Sequence, residues 1–217
     1  MNLQQIKGQY DVIVSLGFAC NTAMKLRDHN LRKFSGPIDW MVSESLSDVS
    51  RLLKNRFKGF MELENMRLLH GHGSGHGLDN GTDLQPSINH VIKDTFYNIV
   101  SYHDFPVIPN QDWTATYPAF KNKTQYRIER FMGKITNSQS VLFVRWGGSY
   151  EQAIELHSIL SRIVKGTFNI LILVPVEGHQ GVSDLNWILN QVCAVRVPNL
   201  VYDDATWNYV LHGITVV

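Results

Sequence analysis

The sequence predicts an α/β fold, a three-layer sandwich around a mostly parallel, doubly wound sheet. Two observations carry that prediction. Short apolar runs are continuous rather than alternating, as in Val12-Ile13-Val14, Val141-Leu142-Phe143-Val144 and Ile170-Leu171-Ile172-Leu173-Val174. That is the pattern of strands covered on both faces. Amphipathic stretches of helical period separate these runs, and strands joined in that way form parallel sheets. The 217 residues, 44% hydrophobic and 18% charged, suffice for one domain around a sizeable core.

Residues 11–16 form the first strand. Gly17 allows a sharp turn after it, and residues 21–31 form a helix with Ala23, Met24, Leu26 and Leu31 at helical spacing. Pro37 holds Gly36 away from helical angles, so residues 34–40 form an extended turn. Ser45 and Asp48 resemble a capping box and open a helix whose Leu46, Val49, Leu52 and Leu53 share a face. Residues 56–69 are ambiguous between a loop and a short helix. The glycines among His70, His72 and His76 remove any helix or strand preference, so a flexible Gly/His-rich loop is expected near residues 70–81. Its three histidines could ligate a metal, but without acidic or sulfur ligands beside them neither a metal site nor a cofactor is implied.

Residues 91–100 read as a strand and residues 124–135 as a helix. Residues 140–146 are a second buried strand, followed by the capping box of Ser149 and Gln152 and by a helix. Residues 168–175 are a third buried strand. Ser183 or Asp184 caps a short helix through Asn190, residues 194–197 are a fourth strand, and residues 205–212 are a last helix. Working sites of doubly wound sheets lie beyond the C-terminal strand ends. That rule places residues 17–21 and 146–149 on one rim.

Net charge is +1, which gives no long-range pull toward nucleic acid or anionic membrane. Basic residues cluster at Lys25, Arg27, Arg32 and Lys33, and again at Lys121, Lys123, Arg127, Arg130 and Lys134; such clusters are usually solvated faces. Two distant cysteines make no disulfide framework. The N-terminus does not read as a signal peptide, and no apolar run approaches the ~18 residues of a membrane helix. A cytoplasmic protein acting on a small-molecule or peptide substrate is expected, with the oligomeric state open.

Cys20 is the leading candidate for chemistry. At a helix N-terminus, unpaired N–H groups and the helix dipole favour thiolate, the nucleophilic form. The same N–H groups, with Gly17 and Asn21, could hold a developing oxyanion. The competing reading is a small cysteine packed under the turn. A cysteine nucleophile needs a base, and the base an orienter. His103, fixed by the Phe105-Pro106 turn, is the first candidate base. Adjacent residues on an extended chain point opposite ways, so Asp39 is a more natural orienter for it than Asp104. His212, near the C-terminus, is the second candidate base, as in lipase-like SGNH hydrolases. Cys193, in an apolar strand, reads as core.

Ser15-Leu16-Gly17 with Cys20, the run from Leu31 to Trp40, and His103-Asp104-Phe105 form an ordered series. Arg127, Arg130, Phe131 and the strand ending at Arg145 continue it. The series resembles the putative papain-like cysteine peptidase family, a bacterial domain of unknown function, over roughly residues 10 to 175. The resemblance implies a cysteine, histidine and aspartate at Cys20, His103 and either Asp104 or Asp39. Papain's own Cys-Gly-Ser-Cys-Trp signature is absent, and a papain-like layout packs the nucleophile's helix on an antiparallel sheet.

Two further readings stand beside a cysteine hydrolase or acyl transferase. One is an SGNH-like esterase using His212. The other is a non-catalytic module that binds an anionic ligand, such as a sugar phosphate or nucleotide, through Arg32, Arg127 and Arg145 with the amides of the Gly17–Asn21 turn. Arg145, ending a buried strand, needs a carboxylate or ligand partner, and the competing, purely structural reading pairs it with Asp39.

Overall fold

A computed structural model describes residues 1–75 and 87–217. The chain runs through β1 (Gly8–Tyr10), β2 (Val12–Ser15), α1 (Cys20–Asp28), β3 (Met41–Val42), α2 (Leu46–Lys54), β4 (Met66–Gly75), β5 (Ser87–Asp94) and β6 (Ile99–Ser101). It continues through α3 (Tyr117–Asn137), β7 (Ser140–Trp146), α4 (Tyr150–Leu160), β8 (Thr167–Val176), β9 (Ser183–Asp184), β10 (Val192–Pro198), α5 (Asp204–Leu211) and β11 (Ile214–Val216).

The central sheet has the order β2-β7-β8-β10-β9. Its first four strands are parallel, and β9 runs antiparallel along β10. The continuous apolar runs are these strands. Alternate residues feed two cores, because successive side chains point to opposite faces. Val141, Phe143, Ile170 and Ile172 pack with α2, α3 and α4. Leu142, Val144, Leu171 and Leu173 pack with Leu26 of α1 and with Trp207 and Val210 of α5. The buried rings of Trp146 and Trp207 stack at 5.8 Å and tie α5 to the sheet.

Three expectations change. The parallel strands follow one another across the sheet in chain order, so there is no reversal of winding. Ser183 and Asp184 open no helix; they pair with Arg196 and Val195 and cover the open edge of β10. The third change is a second, antiparallel sheet of order β3-β6-β5-β4, which continuous apolar runs do not announce. Its β4 includes residues 70–75 of the Gly/His-rich segment, and the rest of that segment lies outside the described residues. Pairing with β5 supplies hydrogen bonds that local propensity does not reveal. Gly71 has φ +100° where the register shifts between Leu69 and His72, a β-bulge. Gly73 is needed for contact, since a Cβ there would lie 1.8 Å from the Tyr102 carbonyl oxygen.

Capping chemistry follows the sequence closely. Ser45 accepts from the Asp48 amide, and Ser149 with Gln152 forms a full capping box. No described helix is long and apolar enough to cross a membrane.

Candidate active site

Cys20 opens α1 directly beyond the end of β2, an edge strand of the parallel sheet. The intervening turn is tightly constrained. Gly17 has φ +80°, and a Cβ there would sit 2.5 Å from Ser43 Oγ, so only glycine fits. Phe18 has φ +95°, a conformation that costs a non-glycine residue on the order of 1–3 kcal/mol. Ser43 holds it in place: Phe18 N–H donates to Ser43 Oγ at 3.2 Å, and Ser43 N–H donates to the Phe18 carbonyl at 2.9 Å. Ala19, at the N-cap, has no side chain to cap the helix. The first N–H groups of α1 therefore face the Cys20 side without a side-chain acceptor from the cap.

Arg145 pins this turn from below. Its guanidinium donates to Leu16 O at 2.9 Å, Ser43 Oγ at 3.0 Å, Ser43 O at 2.6 Å and Glu44 O at 2.9 Å. It is fully buried, and burial pushes its pKa down to about 9. The expected Arg145–Asp39 pair is not formed; carbonyl and hydroxyl oxygens take its place. Solvent does not reach Arg145, which shapes the rim from within.

His103 comes from the other sheet. It lies in the turn after β6, and β5 grips the chain beyond it: His90 N–H donates to Phe105 O, and Val107 N–H to Ile88 O, both at 2.8 Å. Phe105 is fully buried, 4.4 Å from the ring of Phe120. Half-buried His103 hydrogen-bonds Cys20, and this bond is the main reason the thiol pKa lies below its ordinary value. Partial burial opposes the shift. The Tyr202 hydroxyl, the charge of His103 and Cys20's own amide assist it.

Tyr202 Oη stands 3.7 Å from Cys20 Sγ. The neighbours of Tyr202 hold it there: Trp207 Nε1 donates to Val201 O at 2.9 Å, and Asp203 caps α5 by accepting from Thr206 N–H at 2.9 Å. Lys25 pairs with Asp204 and so joins α1 to α5. Tyr202 was not anticipated. A signal was present, because β10 is parallel to β8 and its following loop must lie on the same rim.

The other candidates separate. Asp104, beside His103, accepts from Ser101 Oγ and from Lys123 Nζ, each at 2.7 Å. Asp39 is buried, accepting from Gly36 N–H at 2.8 Å and Arg32 at 3.2 Å. Burial raises its pKa, while Arg32 and then the Gly36 amide act against the rise. Asp39 thus organises the 34–40 turn. Arg32 and Arg127 line one cavity together, away from Arg145. The side chain of Asn21 is buried with neither amide atom hydrogen-bonded. His212 ends α5 and lines a cavity with Leu3 and Lys7, at the opposite end of that helix from Tyr202. Among the described residues no group of three His, Cys, Asp or Glu side chains is placed to hold a metal ion.

This pairing of a thiol on an uncapped helix with an imidazole from a second sheet is the kind of site cysteine hydrolases use. The profile of the family described as "Putative papain-like cysteine peptidase" matches residues 11–178, and the chain belongs to that family. An uncharacterized protein of Acanthamoeba polyphaga mimivirus is 28% identical over 137 residues, 62% of this chain and 60% of the viral one. The chain thus matches about three-fifths of the length of that relative, which is viral rather than bacterial. No solved structure matches. Tyr202 lies beyond the family segment.

Proposed function

We propose that the protein is a cysteine hydrolase that acts by acyl transfer on an amide or thioester. Cys20 attacks the carbonyl carbon, forming a C–S bond, and the backbone N–H groups of Cys20 and Asn21 receive the oxyanion. His103 takes the thiol proton and returns it to the leaving amine or thiol as the carbonyl–heteroatom bond breaks. Water, deprotonated by His103, then attacks the thioester and releases the acid. If another nucleophile takes the place of water, the same site is an acyl transferase.

Asp104 supports the turn that carries His103. Its bonds to Ser101 and Lys123 brace the residues flanking the imidazole. Asp39 supports the neighbouring turn through Gly36 and Arg32.

The observation that carries this reading is the Cys20–His103 hydrogen bond and the lowered thiol pKa it causes. Its test is hydrolysis of p-nitrophenyl acetate, with iodoacetamide alkylation of the native protein at pH 7. Cys20→Ala should abolish turnover while leaving Tm unchanged, and Cys20 should be alkylated readily. A native Cys20 inert to iodoacetamide would sink the proposal.

A further inference from the structure

The two basic clusters of the sequence meet in space. Arg27 from α1, Arg32 and Lys33 from the following turn, and Lys123, Arg127 and Arg130 from α3 line one cavity of about 550 Å³. No carboxylate lines it. Three lie around it, each bonded to one of these cations: Asp28 to Arg27, Asp39 to Arg32 and Asp104 to Lys123. Arg127 also acts electrostatically on Asp39, so the six cations share these three carboxylates.

Arg130 is braced on two sides. Its guanidinium lies 5.1 Å from the Phe34 ring and 4.9 Å from the Tyr126 ring, and one nitrogen donates to Ser35 O at 2.9 Å. The Nε–H groups of Arg32 and Arg130 are buried without any acceptor. Donors therefore exceed acceptors in the cavity wall, and guanidinium groups pair strongly with oxyanions.

The cavity and the candidate active site share elements. Arg27 is seven residues after Cys20 on α1, on nearly the same helix face and about 10 Å along it. Lys123 is bonded to Asp104, the neighbour of His103. Six cationic side chains around one cavity of this size fit a group with many acceptor oxygens.

We propose that this cavity is an anion subsite, and that the substrate of the Cys20 centre carries a phosphate or pyrophosphate there. The substrate assignment rests on the cysteine-hydrolase reading; the subsite does not.

The experiment is calorimetric titration of inorganic pyrophosphate into full-length Cys20→Ala protein at two salt concentrations. Saturable binding is expected that weakens with added NaCl. It should weaken at least about tenfold in Arg130→Gln and in Lys33→Glu. Lys33 is exposed, so that variant keeps the test open if Arg130→Gln does not fold. No heat at millimolar pyrophosphate, or equal affinity in wild type and Lys33→Glu, overturns the subsite. Tighter binding of a hexaglutamate peptide than of pyrophosphate replaces phosphate with an acidic chain. Pyrophosphate binding beside an alkylation-inert Cys20 keeps the subsite and removes the hydrolase. A reactive Cys20 without pyrophosphate binding does the reverse.

Discussion

Cys20 stands at the rim of the parallel sheet and Cys193 inside one of its strands, and their thiols are driven in opposite directions. Cys20 is half-buried, opens a helix without a side-chain cap, and is bonded by His103 and approached by Tyr202. Cys193 is fully buried in β10, and burial above all pushes its pKa up to about 12. The side chain is the same in both places. What differs is whether the fold offers the charged form any partner, since burial alone penalises a thiolate and a hydrogen-bonding imidazole rewards it.

The comparison breaks most sharply in alkylation. At pH 7 iodoacetamide should label Cys20 at least about 1,000-fold faster than Cys193 in the native protein, from thiolate populations alone. Peptide mass mapping reads this directly, and similar labelling of both would dissolve the contrast. Unfolding in urea should erase it.

Next in size is the effect of His103. A lowered pKa means the thiolate persists to more acidic pH, so the rate–pH profile of wild-type Cys20 should have its midpoint below the ordinary thiol range. His103→Ala should move that midpoint up toward about 8.5 and slow alkylation at pH 7 about tenfold. His212→Ala should leave the profile in place. An unmoved midpoint in His103→Ala would assign the lowered pKa to the helix terminus instead.

Stability should show the opposite ranking. Cys193→Ser places a hydroxyl in the closed core and should cost about 1–3 kcal/mol in urea unfolding. Cys20→Ser, at the half-exposed rim, should stay within about 0.5 kcal/mol. Equal costs would mean that Cys20 is a packing residue after all.

Tyr202→Phe should have the smallest effect. The hydroxyl is one partner of the sulfur, standing at 3.7 Å, behind His103 in its influence. Loss of it should raise the thiol pKa slightly and slow alkylation at pH 7 about two- to threefold. A change as large as that of His103→Ala would make Tyr202 the principal partner.

Elements with strong local signals were legible from residues alone. The runs Val141–Val144 and Ile170–Val174 are buried parallel strands, and Ser45 and Ser149 are N-caps as their spacing requires. Gly17 turns where only glycine can. The position of Cys20 at a helix start also followed from the order strand, glycine, apolar period. The Gly/His-rich segment did not reveal itself, because residues 66–75 are a strand only by virtue of β5 and a glycine that clears Tyr102. Such pairing is non-local and leaves no period in the strand's own sequence.

The partners of individual charges were beyond sequence as well. Arg145 was expected on Asp39, yet it binds Leu16, Ser43 and Glu44, and Asp39 belongs to Gly36 and Arg32. Residue types state what a side chain can bond, and only packing states which acceptors come within about 3 Å. Tyr202 and the cavity between α1 and α3 arise in the same way, from segments 182 and about 100 residues apart in the chain. Composition, hydrophobic period and caps are local properties, so the sequence alone determined the buried parallel strands, the capped starts of α2 and α4 and the place of the thiol. The company that thiol keeps depends on how two sheets meet at an edge strand, and that was decided by the tertiary structure.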